Sequence, residues 1–323
     1  MNKIEDIILK STEAKSFQKI EVIQQLWSGY GEIVRYVIEG GKTKSIVVKQ
    51  VQLPIEGNHP HDWNTDLSHQ RKVKSYQVEL AWYTKYNEKC DNTCRVPNCL
   101  AVDKVDGEMF LVLEDLDQVG YSVRKKTVSL KDMELCLSWL ANFHATFMNE
   151  KPNQLWEIGT YWHLSTRPDE LEVLKDIHLK KVAHKIDQKL NESSFLTFVH
   201  GDAKLANFCF SKEGQSVAAV DFQYVGGGCG MKDVVYFIGS CLDENKSREY
   251  EKSLLDFYFK KLRLGIKSKS INIDMDKLEE DWRRLFPCAW ADFHRFLKGW
   301  SPNHWKINNY SERITQEVIK QLK

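Results

Sequence analysis

The sequence has no excess of charge of either sign. Its 323 residues include 46 lysines and arginines and 45 aspartates and glutamates, so the formal net charge at pH 7 is +1. Proteins that bind nucleic acids or acidic membrane surfaces through general electrostatics carry a broad basic patch. We therefore expect no nucleic-acid partner and no membrane-surface role.

Long apolar runs are also missing. No stretch approaches the roughly 18 apolar residues that indicate a membrane span, and the first residues, MNKIED, include acids and no apolar signal-peptide core. We expect a cytoplasmic protein without a membrane span. The eight cysteines fit that compartment as reduced thiols. Cys90, Cys94 and Cys99 lie close together, but the sequence lacks the tight pairs and matching second half of a zinc site.

Internal repeats, low-complexity segments and long linkers are absent as well. A chain of this length can bury a full core in one large or two modest domains. The evidence for a function must therefore come from local motifs rather than from composition.

The most informative motif lies in the middle of the chain. One apolar run ends in His200-Gly201-Asp202, Asn207 opens a second run, and a third run ends in Asp221. An Asp followed five residues later by Asn, and then by a later Asp-Phe, has the spacing of phosphoryl-transfer enzymes. Such an Asp can accept the proton of an attacking hydroxyl, and Asn and Asp oxygens suit Mg²⁺. A single Asp after a strand is more often a turn former. The evidence for phosphoryl transfer is therefore the combined spacing of Asp202, Asn207 and Asp221.

This motif resembles the aminoglycoside phosphotransferase and choline kinase-like superfamily, distant relatives of the protein kinases. The resemblance is carried by H-G-D-A-K-L-A-N at 200–207 and V-D-F-Q at 220–223. Gly201 stands where a protein kinase has the Arg of H-R-D, and Gln223 stands where it has the Gly of D-F-G. Both departures favour the small-molecule branch. The glycine-rich stretch after V-D-F-Q is most similar to the ecdysteroid kinase-like group.

The resemblance implies an α+β protein with a two-lobed, protein-kinase-like fold. An N-terminal lobe, residues 1–116, would carry an antiparallel sheet and one helix and bind nucleotide. A mostly helical lobe, residues 117–323, would carry the catalytic and acceptor-binding residues. The implied reaction is ATP- and Mg²⁺-dependent phosphorylation of a small-molecule alcohol of choline, sterol, sugar or aminoglycoside type. A protein kinase and an inactive nucleotide-binding scaffold remain as alternatives.

The resemblance also implies roles for the residues of the central motif. Asp202 would be the general base, and Asn207 and Asp221 would hold Mg²⁺. Lys204 occupies the position of the Lys in H-R-D-L-K and would steady the terminal phosphate, unless it is a surface lysine. His200 is expected to orient the loop rather than to transfer protons.

The N-terminal third predicts three strands, at Glu21–Trp27, Glu32–Glu39 and Lys44–Val51, which are rich in β-branched and aromatic residues. Lys49 interrupts the apolar run of the third strand. A lysine on such a strand pairs with nucleotide phosphates in kinases, whereas an isolated one would be a lysine of an edge strand facing water. The central motif favours the phosphate role.

Two further features of this part support a nucleotide site. Gly29 and Gly31 lie between the first two strands, where a glycine turn could place backbone N–H groups over phosphates; a plain hairpin turn is the alternative. The spacing of apolar residues predicts a helix over 68–88. Glu79 lies on or beside its apolar stripe and needs a partner. Lys49 is the natural partner, and a position on the solvated flank is the alternative.

Strands are predicted at Arg95–Asp103 and Glu108–Leu113. The second leads into Leu113-Glu114-Asp115-Leu116. The resemblance implies that this stretch is the hinge between the lobes, where adenine binds backbone groups near Glu114 and Leu116. Because backbone groups would bind the adenine, the side chains of this stretch are poor evidence for adenine binding.

Helices are predicted after the hinge at Ser129–Met148, Leu171–Lys189 and Met231–Gly239, the first with a Ser at its start that suits a capping box. The resemblance implies that Asp233 braces the catalytic loop. Four glycines in Gly226–Gly230 predict a mobile loop that admits or covers substrate, or an idle linker. The last third is helical and rich in aromatic residues, which usually form core. Choline kinases use such residues to hold a cationic substrate, which the composition permits without showing it.

Overall fold

The computed structural model of the chain describes residues 3–26, 29–52 and 66–323. An antiparallel sheet with two flanking helices forms the N-terminal part, and the remainder is mostly helical. This is the predicted fold class. Within the described residues, no helix is both long and apolar enough to cross a membrane.

Five strands build the N-terminal sheet. They are β1 Ser16–Gln25, β2 Gly31–Glu39, β3 Ser45–Gln52, β4 Cys99–Val105 and β5 Glu108–Glu114. Their order across the sheet is β1-β2-β3-β5-β4, and every neighbouring pair is antiparallel. Strand β3 is therefore central, and Lys49 pairs with Ile33 on one side and Leu111 on the other. The interpretation of Lys49 as a lysine of an edge strand is thus wrong.

Each face of this sheet packs on one helix. Helix α1, Lys3–Thr12, places Ile8 against Val48 and other apolar residues of one face. Helix α2, Asp66–Lys85, places Tyr76 against Val51 on the opposite face. Because successive side chains of a strand point to opposite faces, Lys49 lies on the same face as Val51. The alternation along β3 thus directs Lys49 towards α2.

The rest of the described chain is built from helices and short strands. The helices are α3 Leu130–Thr146, α4 Pro168–Glu172, α5 Ile177–Asn191, α6 Met231–Cys241, α7 Glu244–Ser268, α8 Met275–Trp300 and α9 Asn309–Leu322. The strands are β6 Thr197–Val199, β7 Phe208–Phe210, β8 Val217–Ala219 and β9 Gly226–Gly228. Strand β6 pairs with β9, and β7 pairs with β8. These two small ribbons lie against α3 and α6 and carry the central motif.

Three predicted boundaries need correction. The first strand begins earlier than Glu21, and its predicted end, Trp27, lies outside the described residues, as does Ser28. The strand expected over Arg95–Asp103 starts only at Cys99, after a short 3-10 turn and Pro97, which has no backbone N–H to donate. The helix expected over Leu171–Lys189 is divided into α4 and α5. Asp176 causes this break because its carboxylate accepts a hydrogen bond from the Leu179 N–H and so caps a new helix.

Candidate active site

The loop after β6 is held by one buried carboxylate. Asp233, in the first turn of α6, accepts hydrogen bonds from the backbone N–H groups of His200 and Gly201, at 2.5 and 3.0 Å. Its Oδ2 atom also lies 3.1 Å from Nε2 of the buried His144. The loop is therefore fixed through its backbone, which is the bracing role expected of Asp233.

Close packing explains the glycine at position 201. Its φ is +79°, and a Cβ atom there would lie 2.1 Å from the carbonyl oxygen of Tyr224. Any larger residue, including the Arg of H-R-D, would force these two backbone segments apart. The packing of Gly201 against the Tyr224 backbone therefore requires glycine at the position where protein kinases have Arg.

Both ring nitrogens of His200 are occupied. Nδ1 accepts from the Asp202 N–H at 3.3 Å, so the proton lies on Nε2, which donates to the Val220 carbonyl at 3.0 Å. The ring thus links the loop to the end of β8. This arrangement supports an orienting role for His200 and leaves no nitrogen free for proton transfer.

Asp202 is the best-connected carboxylate of the loop. Its Oδ1 accepts from the Tyr236 hydroxyl at 3.1 Å, and its Oδ2 accepts from Lys204 Nζ at 2.7 Å and Asn207 Nδ2 at 3.1 Å. The residue is only 6 % exposed. Burial raises the pKa of Asp202, although the charge of Lys204 opposes this, and the nearby charge of Asp221 adds to it. A raised pKa makes this carboxylate a stronger proton acceptor than an ordinary Asp.

Asn207 and Asp221 are brought together by the β7–β8 ribbon. The Val220 N–H donates to the Asn207 carbonyl at 3.0 Å, so Asp221 leaves the ribbon beside Asn207. The Asn207 amide nitrogen donates to Asp202, which leaves its side-chain oxygen as the atom available to a ligand. Asp221 has φ +72°, an unusual value for Asp, and its side chain lies within electrostatic reach of Lys49, Lys204 and Lys72.

The chemistry of this pair fits a magnesium ion. The Asp221 Oδ1 atom is buried and has no hydrogen-bond partner among the described residues. A buried carboxylate oxygen without a partner is costly unless a cation satisfies it. Burial opposes ionisation of Asp221, but the charges of Lys49, Lys204 and Lys72 together lower its pKa. An ionised Asp and an amide oxygen are both ligands that Mg²⁺ accepts.

The predicted pair between Lys49 and Glu79 is present. Lys49 Nζ donates to Glu79 Oε2 at 2.6 Å, and the two side chains are 5 % and 4 % exposed. Glu79 therefore does not lie on a solvated flank. Burial raises the pKa of Glu79, while the charge of Lys49 lowers it and only partly compensates. Since Lys49 also acts on the pKa of Asp221, the pair lies within electrostatic reach of the central motif.

Gly29, which precedes β2, and Gly31, its first residue, differ in what surrounds them. Gly31 has φ +125°, and a Cβ there would lie 2.1 Å from the Gln50 carbonyl of β3, so sheet packing requires glycine. Gly29 has φ +71°, and a Cβ there would meet no atom of the described residues within 4 Å. Tyr30 between them is buried and its hydroxyl lies 2.7 Å from His69 Nδ1 of α2. A contact of this turn with phosphates stays a prediction.

The expected hinge has a backbone donor without a partner among the described residues. The Glu114 N–H donates to the Asn98 carbonyl, and the Leu116 carbonyl accepts from the Tyr121 N–H. Within residues 66–323 and the two described segments before them, the Leu116 N–H has no hydrogen-bond partner. Its side chain packs on Cys209 and Ala218 of the β7–β8 ribbon. This apolar floor beside an unpaired N–H suits a flat heteroaromatic base.

The glycine-rich stretch after Asp221 contains a paired strand, so the prediction of a loop there was wrong. Residues Gly226–Gly228 form β9 and pair with β6. A Cβ on Gly226 would lie 2.2 Å from the Trp156 carbonyl, so the glycines permit close packing of backbone on backbone. The stretch is therefore neither a lid nor an idle linker.

Comparison with known proteins identifies the family. The model of the ecdysteroid kinase-like family matches residues 39–160 and 156–270, a region that includes every residue of the site above from Lys49 to Asp233. The chain belongs to the ecdysteroid kinase-like family. No curated protein sequence matches it.

Solved structures support the fold of this ecdysteroid kinase-like protein. An ethanolamine kinase from Plasmodium vivax has a TM-score of 0.53 at 12 % identity, covering 99 % of this chain and 89 % of its own. A choline kinase from Cryptosporidium parvum has 0.53 at 10 %, covering 98 % and 94 %. An aminoglycoside phosphotransferase in a ternary complex with ADP and hygromycin B has 0.53 at 8 %, covering 99 % and 98 %. At these identities the similarity establishes a kinase-like fold.

Lys72 is a site residue of this family member that the sequence analysis missed. It lies on α2 seven residues before Glu79, two helical turns away on the same face. Its Nζ donates to Gln223 Oε1 at 3.2 Å and lies 5.0 Å from the Tyr76 ring centroid. Burial and the charge of Lys49 lower the pKa of Lys72 to about 8. The helical spacing from Glu79 was a signal that could have found it.

Gln223, the last residue of the D-F-Q motif, makes side-chain and backbone contacts that the Gly of D-F-G could make only in part. Besides Lys72, its Oε1 accepts from Ser75 Oγ at 3.2 Å, and its backbone carbonyl accepts from Trp156 Nε1 at 2.8 Å. The residue that replaces the Gly of D-F-G thus ties the segment after Asp221 to helix α2. This contact joins the Lys49–Glu79 side of the site to the Asp202 side.

Proposed function

We propose that this chain is an ATP- and Mg²⁺-dependent phosphotransferase that phosphorylates a hydroxyl of a small molecule. The observation that carries the proposal is the Asp221 carboxylate, which has a buried oxygen without a partner among the described residues and lies among three lysines. Membership of a kinase-like family and structural neighbours that phosphorylate small molecules support it.

The nucleotide would be held from both sides. Lys49, fixed by Glu79, would contact the phosphates, and Lys72 adds a second positive charge on the same side. The adenine would lie at the hinge, where the Leu116 N–H has no partner in the described part of the chain and could donate. Asn207 and Asp221 would hold Mg²⁺. When bound, that ion neutralises phosphate charge and orients the terminal phosphoryl group.

Asp202 then acts on the acceptor. Its carboxylate takes the proton of the acceptor hydroxyl as the hydroxyl oxygen bonds to the terminal phosphorus and the bond to the bridging oxygen breaks. The products are a phosphate monoester, ADP and a proton. Lys204, which contacts Asp202 at 2.7 Å and is 40 % exposed, is free to turn towards the transferred phosphoryl group.

An inactive scaffold is the alternative from another class. A scaffold has no need of an ionised Asp221 together with Asp202 in a buried, proton-accepting environment. A protein kinase is disfavoured because Gln223 and Gly201 replace two residues of its motifs, and the structure uses both replacements in packing.

A thermal-unfolding test with Asp221→Ala separates these possibilities. A ligand present at 100 times its dissociation constant stabilises a protein by about 2.7 kcal/mol. We expect ATP with Mg²⁺ to stabilise the wild type clearly more than ATP alone, and Asp221→Ala to lose that magnesium-dependent increment. Asp256→Ala, at an exposed helix position, is the matched control and should behave as wild type.

If Asp221→Ala retains the full magnesium increment, the metal role is wrong. If neither form responds to ATP, the scaffold and the kinase proposals both fail at the nucleotide step. ADP release measured across a panel of small alcohols and amino-alcohols then identifies the acceptor of a form that binds Mg-ATP.

A further inference from the structure

A lysine occupies the aromatic cluster next to the proposed base. Lys306 lies in the segment between α8 and α9. Its Nζ lies 5.0 Å from the ring centroid of Tyr236, 5.4 Å from that of Phe293 and 5.6 Å from that of Trp305. Three rings around one ammonium group form an aromatic cage of the kind that holds cations. In this chain the protein supplies the cation itself.

The cage adjoins the Asp202 carboxylate. The Tyr236 ring that faces Lys306 also donates its hydroxyl proton to Asp202 Oδ1 at 3.1 Å. No hydrogen bond or ion pair of Lys306 Nζ is found with the described residues, so its three N–H donors are open to a ligand. Burial lowers the pKa of Lys306 to about 8, and the smaller opposing effects of Cys241 and Asp202 offset this only in part. At neutral pH it is mainly charged and ready to donate.

The same region exposes aromatic surface. Phe296, Trp300, His304 and Trp305 follow one another as neighbouring rings, with centroid separations of 5.6, 6.3 and 5.9 Å. Trp300 and Trp305 are 46 % and 57 % exposed. Exposed aromatic rings beside a reactive carboxylate are typical of a surface that contacts an apolar ligand.

A second cation lies on this aromatic wall. The Arg167 guanidinium is 5.8 Å from the Phe296 ring centroid and is paired with the Glu170 carboxylate at 3.2 Å. Lys204 is likewise paired, with Asp202 at 2.7 Å. Of these three cations, Lys306 alone has no carboxylate partner among the described residues, so its charge would repel an acceptor that carries a positive charge of its own.

We propose that Lys306 fills the cation position of the acceptor pocket and donates a hydrogen bond to an oxygen of the acceptor, so that the pocket selects alcohols without a positive charge. The inference rests on the proposed function and assigns a specificity-determining role to Lys306, which excludes cationic alcohols from the site beside Asp202.

Choline and its neutral isostere 3,3-dimethylbutan-1-ol test this directly, because they differ in charge and hardly in shape. Binding of each is measured by tryptophan fluorescence in the presence of Mg-ADP, for the wild type, Lys306→Met and Lys306→Arg. Removing the charge while keeping the volume opens the cage to an external cation. We expect Lys306→Met to bind choline about 10-fold more tightly than wild type, Lys306→Arg not to, and the isostere to change far less.

Two outcomes overturn the proposal. The first is equal affinity of the wild type and Lys306→Met for choline. Absence of choline binding to both proteins counts as this outcome. The other is an equal gain for choline and its isostere in Lys306→Met, which would mean that only space was created. Stabilisation by Mg-ATP checks that each variant is folded. It also separates the two proposals, because the magnesium-dependent part of that stabilisation is expected to require Asp221 and not Lys306.

Discussion

Lys49 and Asp202 face the same site but are held by different kinds of structure. Lys49 lies on a central strand and pairs with a helix residue, Glu79, so regular elements set its position. Asp202 lies on an irregular loop. That loop is fixed by backbone hydrogen bonds to Asp233 and by close packing of Gly201 on another backbone segment.

The difference shows which site residues lie on regular elements and which lie on an irregular loop. A lysine that holds phosphates needs a rigid platform, and a five-stranded sheet provides one. The proposed base lies on a loop between strands rather than within a sheet, so the loop has to be stiffened by buried polar groups. We expect variants on the two sides to fail in different ways: by loss of chemistry on the Asp202 side, and by loss of stability at the Lys49–Glu79 pair.

The largest expected effect is that of Asp202→Asn. The amide keeps the size of the carboxylate but cannot take a proton, and loss of a general base lowers turnover by roughly 10²–10⁴-fold. ATP would contact Lys49, the hinge and the metal ligands, so its affinity should change little. Turnover and nucleotide affinity are measured on the same preparation, with an acceptor found by the alcohol panel.

Asp256→Asn serves as the matched control on the surface. Near-normal turnover of Asp202→Asn would remove this residue as the base. Loss of ATP binding together with an early unfolding transition would instead assign Asp202 to the structure of the loop, where it accepts hydrogen bonds from Tyr236 and Asn207.

Lys49→Met tests the other side of the site, because it removes the positive charge that pairs with Glu79. It leaves Glu79 buried without its partner, and breaking a buried ion pair in this way costs about 3–5 kcal/mol. The pKa of Glu79 is already raised in the folded protein, so the folded state holds its proton more tightly than the unfolded state. Stability therefore falls as pH rises from the ordinary pKa of Glu through the raised one. Without Lys49 this fall becomes larger.

Urea unfolding at pH 5 and pH 8 measures this effect. We expect Lys49→Met to lose more stability, relative to wild type, at pH 8 than at pH 5. The double variant Lys49→Met/Glu79→Gln is the control, since it has no carboxylate to protonate and should show little of this difference. An equal loss at both pH values would mean that Glu79 is satisfied by something other than Lys49.

The two sides also differ in how far sequence could predict them. The Lys49–Glu79 contact followed from one interrupted strand and one helical stripe, because periodicity gives the direction of side chains in regular elements. The motif spacing predicted that Asp202, Asn207 and Asp221 belong to one site. The domain boundary at residue 116 and the nucleotide contacts stay predictions.

Contacts in which at least one partner lies on an irregular segment could not be predicted. Lys72 and Gln223 are 151 residues apart and meet only because the fold brings α2 to the end of the β7–β8 ribbon. Lys306 reaches Tyr236 from a connection without any repeating pattern. The glycines at 226–228 were misjudged because composition does not tell a mobile glycine from one that another backbone touches.

The smallest expected effect, Gly226→Ala, tests that last distinction. The new methyl group would lie 2.2 Å from the Trp156 carbonyl and 2.9 Å from the Gly159 Cα, and neither atom belongs to a flexible side chain. Overpacking of this kind costs about 1–3 kcal/mol. The strand pairs with β6, which leads into the catalytic loop, so the loss should appear in the free energy of unfolding measured in urea.

Gly228→Ala is the matched control, two residues further along β9. Its Cβ would make ordinary contacts of 3.4 and 3.5 Å with Val199, and its φ is not positive, so the alanine fits. A compatible Gly→Ala change stabilises a protein by about 0.4–1 kcal/mol through the unfolded chain. We therefore expect the two variants to shift stability in opposite directions. If Gly226→Ala were as stable as Gly228→Ala, the stretch would have room to move, and the mobile loop that its composition suggests would return as the better description of this side of the site.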